Sequence, residues 1–179
     1  MTNDKFFIIT GGPGAGKTTL LNELRKRGYA CIDEGARSII KEQARINGDA
    51  LPWKNLKLFK EQMFLYAQET YQQAIKNCEK ITFFDGGILE LIAYNRRTNT
   101  PNSTDLENAL QIMHYNKKVF LAPPWQEIFC NDAQRTQSFE ESVEVYNAIA
   151  KAYAEYGYEL IELPQANVKE RADFIINHI

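Results

Sequence analysis

Eight consecutive residues, Gly11-Gly12-Pro13-Gly14-Ala15-Gly16-Lys17-Thr18, bring together the groups needed to hold a chain of phosphates. They match G-x-x-x-x-G-K-[ST] at every required position. Glycines at this spacing let successive N–H groups turn inward and leave room for an anion. A helix opening near Gly16 would add its free N–H groups and the positive end of its dipole. Lys17 would reach the β- and γ-phosphates, and the Thr18 hydroxyl would bind Mg2+. The expected nucleotide contacts are therefore Gly12, Pro13, Gly14, Ala15, Gly16, Lys17, Thr18 and Thr19. A turn that binds nothing is the plainer reading. The apolar run Phe6-Phe7-Ile8-Ile9 just before the loop and the helical pattern just after it speak against that. A dinucleotide fingerprint fits poorly. Started at Gly12, it puts Lys17 where its last glycine should be; started at Gly14, it puts Thr19 there.

In an open α/β sheet, ligands sit beyond the carboxyl ends of the strands, so the residues that follow each apolar run are the next candidates. Asp85 ends Ile81-Thr82-Phe83-Phe84. A carboxylate there can hold Mg2+ directly or through water; alternatively it caps the next helix. Asp33 and Glu34 follow Tyr29-Ala30-Cys31-Ile32. Glu34, ahead of Asp33, would take the proton of an attacking hydroxyl or hold an acceptor, unless the pair is a helix cap or simply solvated. Arg135 sits in a polar segment between two predicted helices, the place for a mobile lid over about 131–139. It would neutralise charge developing on a transferred phosphoryl group, or else be a solvated loop charge. Arg37 and Arg45, after Glu34, and Arg96 and Arg97, after Asp85, could meet a second anion or be surface charges. Trp125 would either stack on a base or pack beneath the lid.

These residues need a scaffold, and the periodicity supplies one. Strands are expected at 5–10, 29–32, 81–84, 118–121 and 159–163. Helices are expected at 16–27, 35–46, 53–77, 88–97, from the Thr104-x-x-Glu107 capping box to before 116, from the Ser138-x-x-Glu141 box to about 156, and from an Asn167 cap to near 178. One or two helical turns are expected at 125–130. Alternation of strand and helix predicts an α/β fold with a five-stranded parallel sheet and helices on both faces. A single domain over 1–179 is expected.

Bulk properties narrow the function. The chain has 179 residues, 44% apolar and 25% charged, with a formal net charge of −2. No basic block suggests a nucleic-acid partner. The three cysteines, Cys31, Cys78 and Cys130, are scattered and fit neither a disulfide framework nor a zinc spacing. No apolar stretch approaches the ~18 residues that span a bilayer, and the N-terminus lacks the pattern of a signal peptide. A reducing, cytoplasmic setting without membrane attachment is expected.

With these residues in hand, the chain resembles the small AAA-labelled predicted P-loop ATPases, a kinase-like group that includes the ribosylnicotinamide kinase domain of NadR. The matching stretches are Gly11 to Thr19, Asp33-Glu34-Gly35-Ala36-Arg37, Phe84-Asp85-Gly86-Gly87, Val119 to Trp125, Asp132 to Phe139 and Gly157 to Pro164. The resemblance implies a kinase-type strand order, with the strand-three acid beside the loop strand. It also implies ATP and Mg2+ held through Lys17, Thr18 and Asp85, with Arg135 as lid arginine. Many such proteins carry Asp-Arg after strand three, where this chain has Asp85-Gly86. The expected activity is ATP- and Mg2+-dependent phosphoryl transfer to a small acceptor, a nucleoside-like molecule being one candidate. The alternatives are a nucleotide-switched ATPase with a protein partner, or a domain whose loop is inactive. Asn116-Lys117 is followed by Lys118-Val119, so the N-K-x-D guanine reader is absent and ATP is favoured over GTP.

Overall fold

A computed structural model describes residues 3–76, 80–130 and 137–179. Five strands run in chain order: β1 (Phe6–Gly11), β2 (Ala30–Ile32), β3 (Thr82–Asp85), β4 (Lys118–Ala122) and β5 (Glu159–Glu162). They form one parallel sheet in the order β2-β3-β1-β4-β5. β1 is central and wholly buried, as expected for an apolar strand covered on both faces. Its register sets Ile9 opposite Asp85 and Gly11 opposite Ala122. The third-strand carboxylate therefore ends up beside the strand that feeds the glycine loop.

Among the described residues seven helices surround the sheet: α1 (Lys17–Lys26), α2 (Gly35–Ile46), α3 (Leu56–Lys76), α4 (Leu89–Arg97), α5 (Thr104–Leu110), α6 (Phe139–Glu155) and α7 (Val168–Ile176). Alternate β1 residues face opposite sides. Phe7 and Ile9 pack with Leu20, Leu24, Phe83, Phe120, Ala172 and Ile175, which seats α1 and α7 on one face. Phe6 and Ile8 pack with Tyr71, Phe84, Ile92, Tyr115, Ile149 and Tyr153, which seats α3, α4 and α6 on the other.

Most expected elements form within a residue or two of their predicted ends, and two departures have clear causes. The third helix starts at Leu56 rather than 53, because the Asn55 side chain accepts from Leu58 N–H and Trp53 lies in the turn before it. The fifth is capped by Ser103, not Thr104: Ser103 Oγ accepts from Leu106 N–H at 3.2 Å. Glu107 instead accepts from the Asn102 side chain, so the Thr104-Glu107 pair makes no capping box, and the helix ends at Leu110. The Ser138-Glu141 capping box does form, and Asn167 caps α7. At 125–130 there is a single turn, with Phe129 N–H donating to the Trp125 carbonyl.

Ile92, fully buried between α4 and the sheet, ties the helix after Asp85 to the core. Ile92→Ala should lower unfolding free energy by about 2–5 kcal/mol, as measured by chemical denaturation. A loss below about 0.5 kcal/mol would mean that α4 is not anchored as described.

Candidate functional site

The loop from Gly11 to Gly16 leads into α1, whose N-cap, Gly16, has no side chain to cap the first turn. The leading N–H groups of a helix lack partners within the helix, so they stay available to an anion. The loop's shape is fixed from outside. Ser142 Oγ, at the buried start of α6, donates to the Pro13 carbonyl at 2.6 Å. Arg171, buried on α7, donates to the Ala15 carbonyl at 3.0 Å. Gly14 adopts φ +82°, and a Cβ there would lie 2.4 Å from the Phe129 ring, so glycine is required for both conformation and space. Lys17 is buried, and its Nζ donates to the Gly11 and Gly12 carbonyls at 2.9 and 3.0 Å.

Two cavities open on this loop. One, of about 490 Å3, runs along Gly14–Thr19 to Trp125, Ile128, Asn167 and Arg171. The other, of about 410 Å3, runs between α2, α3, α4 and α6, with Glu90, Phe59, Met63, Tyr94 and Arg97 in its walls. Lys17, Glu34 and Arg37 line both, so the cavities meet at the lysine. Trp125 is thus placed at the loop-side cavity, while Trp53, missed by the sequence analysis, stands largely exposed at the mouth of the other.

The carboxylates divide into distinct roles. Asp85 is buried, and its Oδ1 has no hydrogen-bond partner. Burial pushes its acid up to about 7; Lys17 opposes this shift, and Glu34, Glu90 and Asp33 add to it. An orphaned, buried carboxylate oxygen at this place fits a divalent cation or its bound water. Among the described residues there is no cluster of three or more His, Cys, Asp or Glu that could hold a metal. Glu34 lies within 3.5 Å of Arg37 and borders both cavities. Asp33 is turned toward α1 by an ion pair with Arg25 at 2.5 Å and is largely exposed. Arg45 pairs with Glu42 and Arg96 with Glu155, both on the surface, so of the four arginines considered only Arg37 and Arg97 reach a cavity. Arg135 lies outside the described residues.

Three contributors escaped the sequence analysis: Glu90, Arg171 and Ser142. Glu90 interrupts the apolar run Ile88-Leu89-x-Leu91-Ile92, and Arg171 sits in the apolar stripe Val168, Ala172, Ile175. A charge on an otherwise apolar helix face was the available signal. Glu90 opens to the cavity, accepts from Thr10 Oγ1 at 2.5 Å, and is pushed up to about 7 by burial.

The parallel sheet, its strand order and the loop define the class: a P-loop protein with the kinase-type fold. Within that class the chain belongs to the AAA domain family, whose sequence profile matches residues 6–171. No curated protein matches the sequence. Solved structures with this fold include a deoxyadenosine kinase from M. mycoides with dCMP and dCDP bound (19% identical, TM-score 0.64, 97% of each chain covered). A thymidylate kinase from Ehrlichia chaffeensis is 15% identical, with TM-score 0.62 and 98% of each chain covered. NadR in complex with NR is 18% identical, with TM-score 0.65; the match spans 98% of this chain and 51% of that one. Among the described residues no helix is long and apolar enough to cross a membrane.

Asp85 and Glu90 both hold their protons more tightly folded than unfolded, so folding favours their protonated forms. Their stabilising effect is full below the ordinary carboxylate range and is lost as pH rises to about 7. The ligand-free protein should therefore melt several degrees lower at the alkaline end of that window. Asp85→Asn should flatten the decline; equal slopes for the two proteins in thermal melts would contradict the burial of this carboxylate.

Proposed function

We propose that the protein transfers the γ-phosphoryl group of ATP to a hydroxyl of a small molecule. The observation that carries this reading is the meeting of the two cavities at Lys17, Glu34 and Arg37. One cavity is formed by the phosphate loop and the other, mostly apolar with a few charged groups, suits a small organic acceptor. The kinase-type fold and its deoxyadenosine, thymidylate and shikimate kinase neighbours support the same direction.

In this reading the amides of Gly12–Thr19 and the Lys17 ammonium grip the triphosphate, so the loop's fixed shape aligns the γ-phosphorus with the second cavity. Lys17 must release the Gly11 and Gly12 carbonyls to do so, exchanging two neutral acceptors for charged oxygens. Thr18 and Asp85 would hold Mg2+, which when bound neutralises charge on the phosphates. Glu34 orients the acceptor from the boundary between the cavities, with Arg37 beside it. Asp33 steadies this corner through Arg25 rather than touching the acceptor. Arg135 is assigned the charge developing on the transferred group. The acceptor's body lies along Phe59, Met63 and Tyr94, and Trp125 borders the nucleotide. The site is expected to act on a small molecule, without nucleic acid or membrane.

Lys17→Ala should fold as the parent does and lose Mg·ATP binding by a factor of a hundred or more, about 2.7 kcal/mol, in calorimetry. Unchanged affinity would sink the assignment of the loop. With γ-labelled ATP and a metabolite pool, label should appear on a small molecule. Free phosphate as the sole product would mark an ATPase instead.

A further inference from the structure

Glu90 stands where the acceptor cavity meets the phosphate loop. It shares that cavity with Gly11 and Lys17, and its Oε1 is fixed by the Thr10 hydroxyl at the end of β1, one residue before the loop begins. Glu34, the other carboxylate in this cavity, already faces the Arg37 guanidinium at 3.5 Å. Gly86 makes room for Glu90: a Cβ there would lie 2.5 Å from Oε2, and the backbone has φ +82°. No ordinary side chain at position 86 is compatible with Glu90 in this place. The same corner holds Asp85, buried, with its Oδ1 unpartnered.

We propose that Glu90 receives the acceptor's hydroxyl beside the γ-phosphate and that this carboxylate restricts the acceptor to an alcohol, excluding phosphate-bearing molecules. The inference rests on the phosphotransferase reading and deepens it, giving the proton-accepting part to Glu90 and leaving Glu34 to orient. A lone pair of the acceptor oxygen forms the bond to the γ-phosphorus. The bond from that phosphorus to the bridging oxygen breaks, and its electrons leave on ADP. The hydroxyl proton passes to Glu90 Oε2 and then to solvent. An acceptor presenting a phosphate here would set its charge beside the Glu90 carboxylate that must receive the proton, with Lys17 already committed to the nucleotide.

The α4 face continues the specification. Glu90, Ala93, Tyr94 and Arg97 all line the cavity at positions i, i+3, i+4 and i+7. Glu90 and Arg97 are thus about 10 Å apart along the helix axis. A molecule the size of a nucleoside spans that distance, with its hydroxyl at Glu90, its body on Ala93 and Tyr94, and a hydrogen-bond acceptor at Arg97. Arg97 lies 4.0 Å from Glu144.

The test uses the full chain with Mg2+, γ-labelled ATP and matched pairs: 2′-deoxyadenosine, thymidine and nicotinamide riboside, each beside its 5′-monophosphate. Label should move to at least one neutral member and to no monophosphate. Glu90→Gln should lower kcat for that acceptor roughly tenfold or more while the KM for ATP stays within about twofold. Thr10→Val, which frees Oε1 and keeps every carboxylate, should slow transfer in the same sense and carries the test if Glu90→Gln does not fold. Transfer to a monophosphate, an unchanged kcat in both variants, or ATP hydrolysis with no label on any neutral member would overturn the proposal. Failure of ATP to bind the parent protein would instead overturn the phosphotransferase reading beneath it.

Discussion

The arrangement depends on a charge imbalance in a place where water is scarce. One ammonium, Lys17, faces Asp85, Glu90 and Glu34 at the carboxyl edge of β1 and β3. Burial makes ionisation of Asp85 and Glu90 costly, and Lys17 offsets this only in part, so these two acids hold their protons up to about pH 7. Such a cluster is a poor device for stability. It is well suited to receive a cation and to give or take a proton, and strongly perturbed acids gather where chemistry is done.

The rest of the fold makes that imbalance persist. β1 lies between β3 and β4, so Asp85 cannot swing away without breaking a buried ladder. The loop cannot relax around Lys17, because Ser142 holds Pro13 and Arg171 holds Ala15, one from each layer of helices. The two layers come from distant parts of the chain, 129 and 156 residues from their loop partners. Long-range packing therefore supplies the rigidity that positioned donors need, since a donor placed about 1 Å away forfeits much of its value.

This division explains what the sequence disclosed. The loop motif is local: eight residues specify a backbone shape whatever surrounds them, so Gly11–Thr18 could be located at once. The sheet was nearly as legible, because Phe6–Ile9 and Ile81–Phe84 are apolar on both faces and each ends in a chemically distinctive residue. Ser103 was missed because Ser103 and Thr104 are both good caps, and adjacent capping frames look alike in sequence. Glu90, Arg171 and Ser142 act through partners far away in the chain, and a motif search along one strand or helix cannot see such pairs.

Gly86 shows how a local departure and a distant contact explain each other. The chain carries Gly86 where the family resemblance leads one to expect an arginine, and from sequence that looked like the loss of an anion contact. In space the missing side chain leaves room for the Glu90 carboxylate. In the proposed reading, an acid rather than a cation then stands at this corner. The cavity's remaining cations, Arg37 and Arg97, differ in position: Arg37 sits at the boundary with Glu34, and Arg97 lies two helical turns beyond Glu90. Acid beside the phosphate loop and a guanidinium far from it give the cavity a polarity along the α4 face. Specificity of this kind comes as much from the repelling group as from the attracting one.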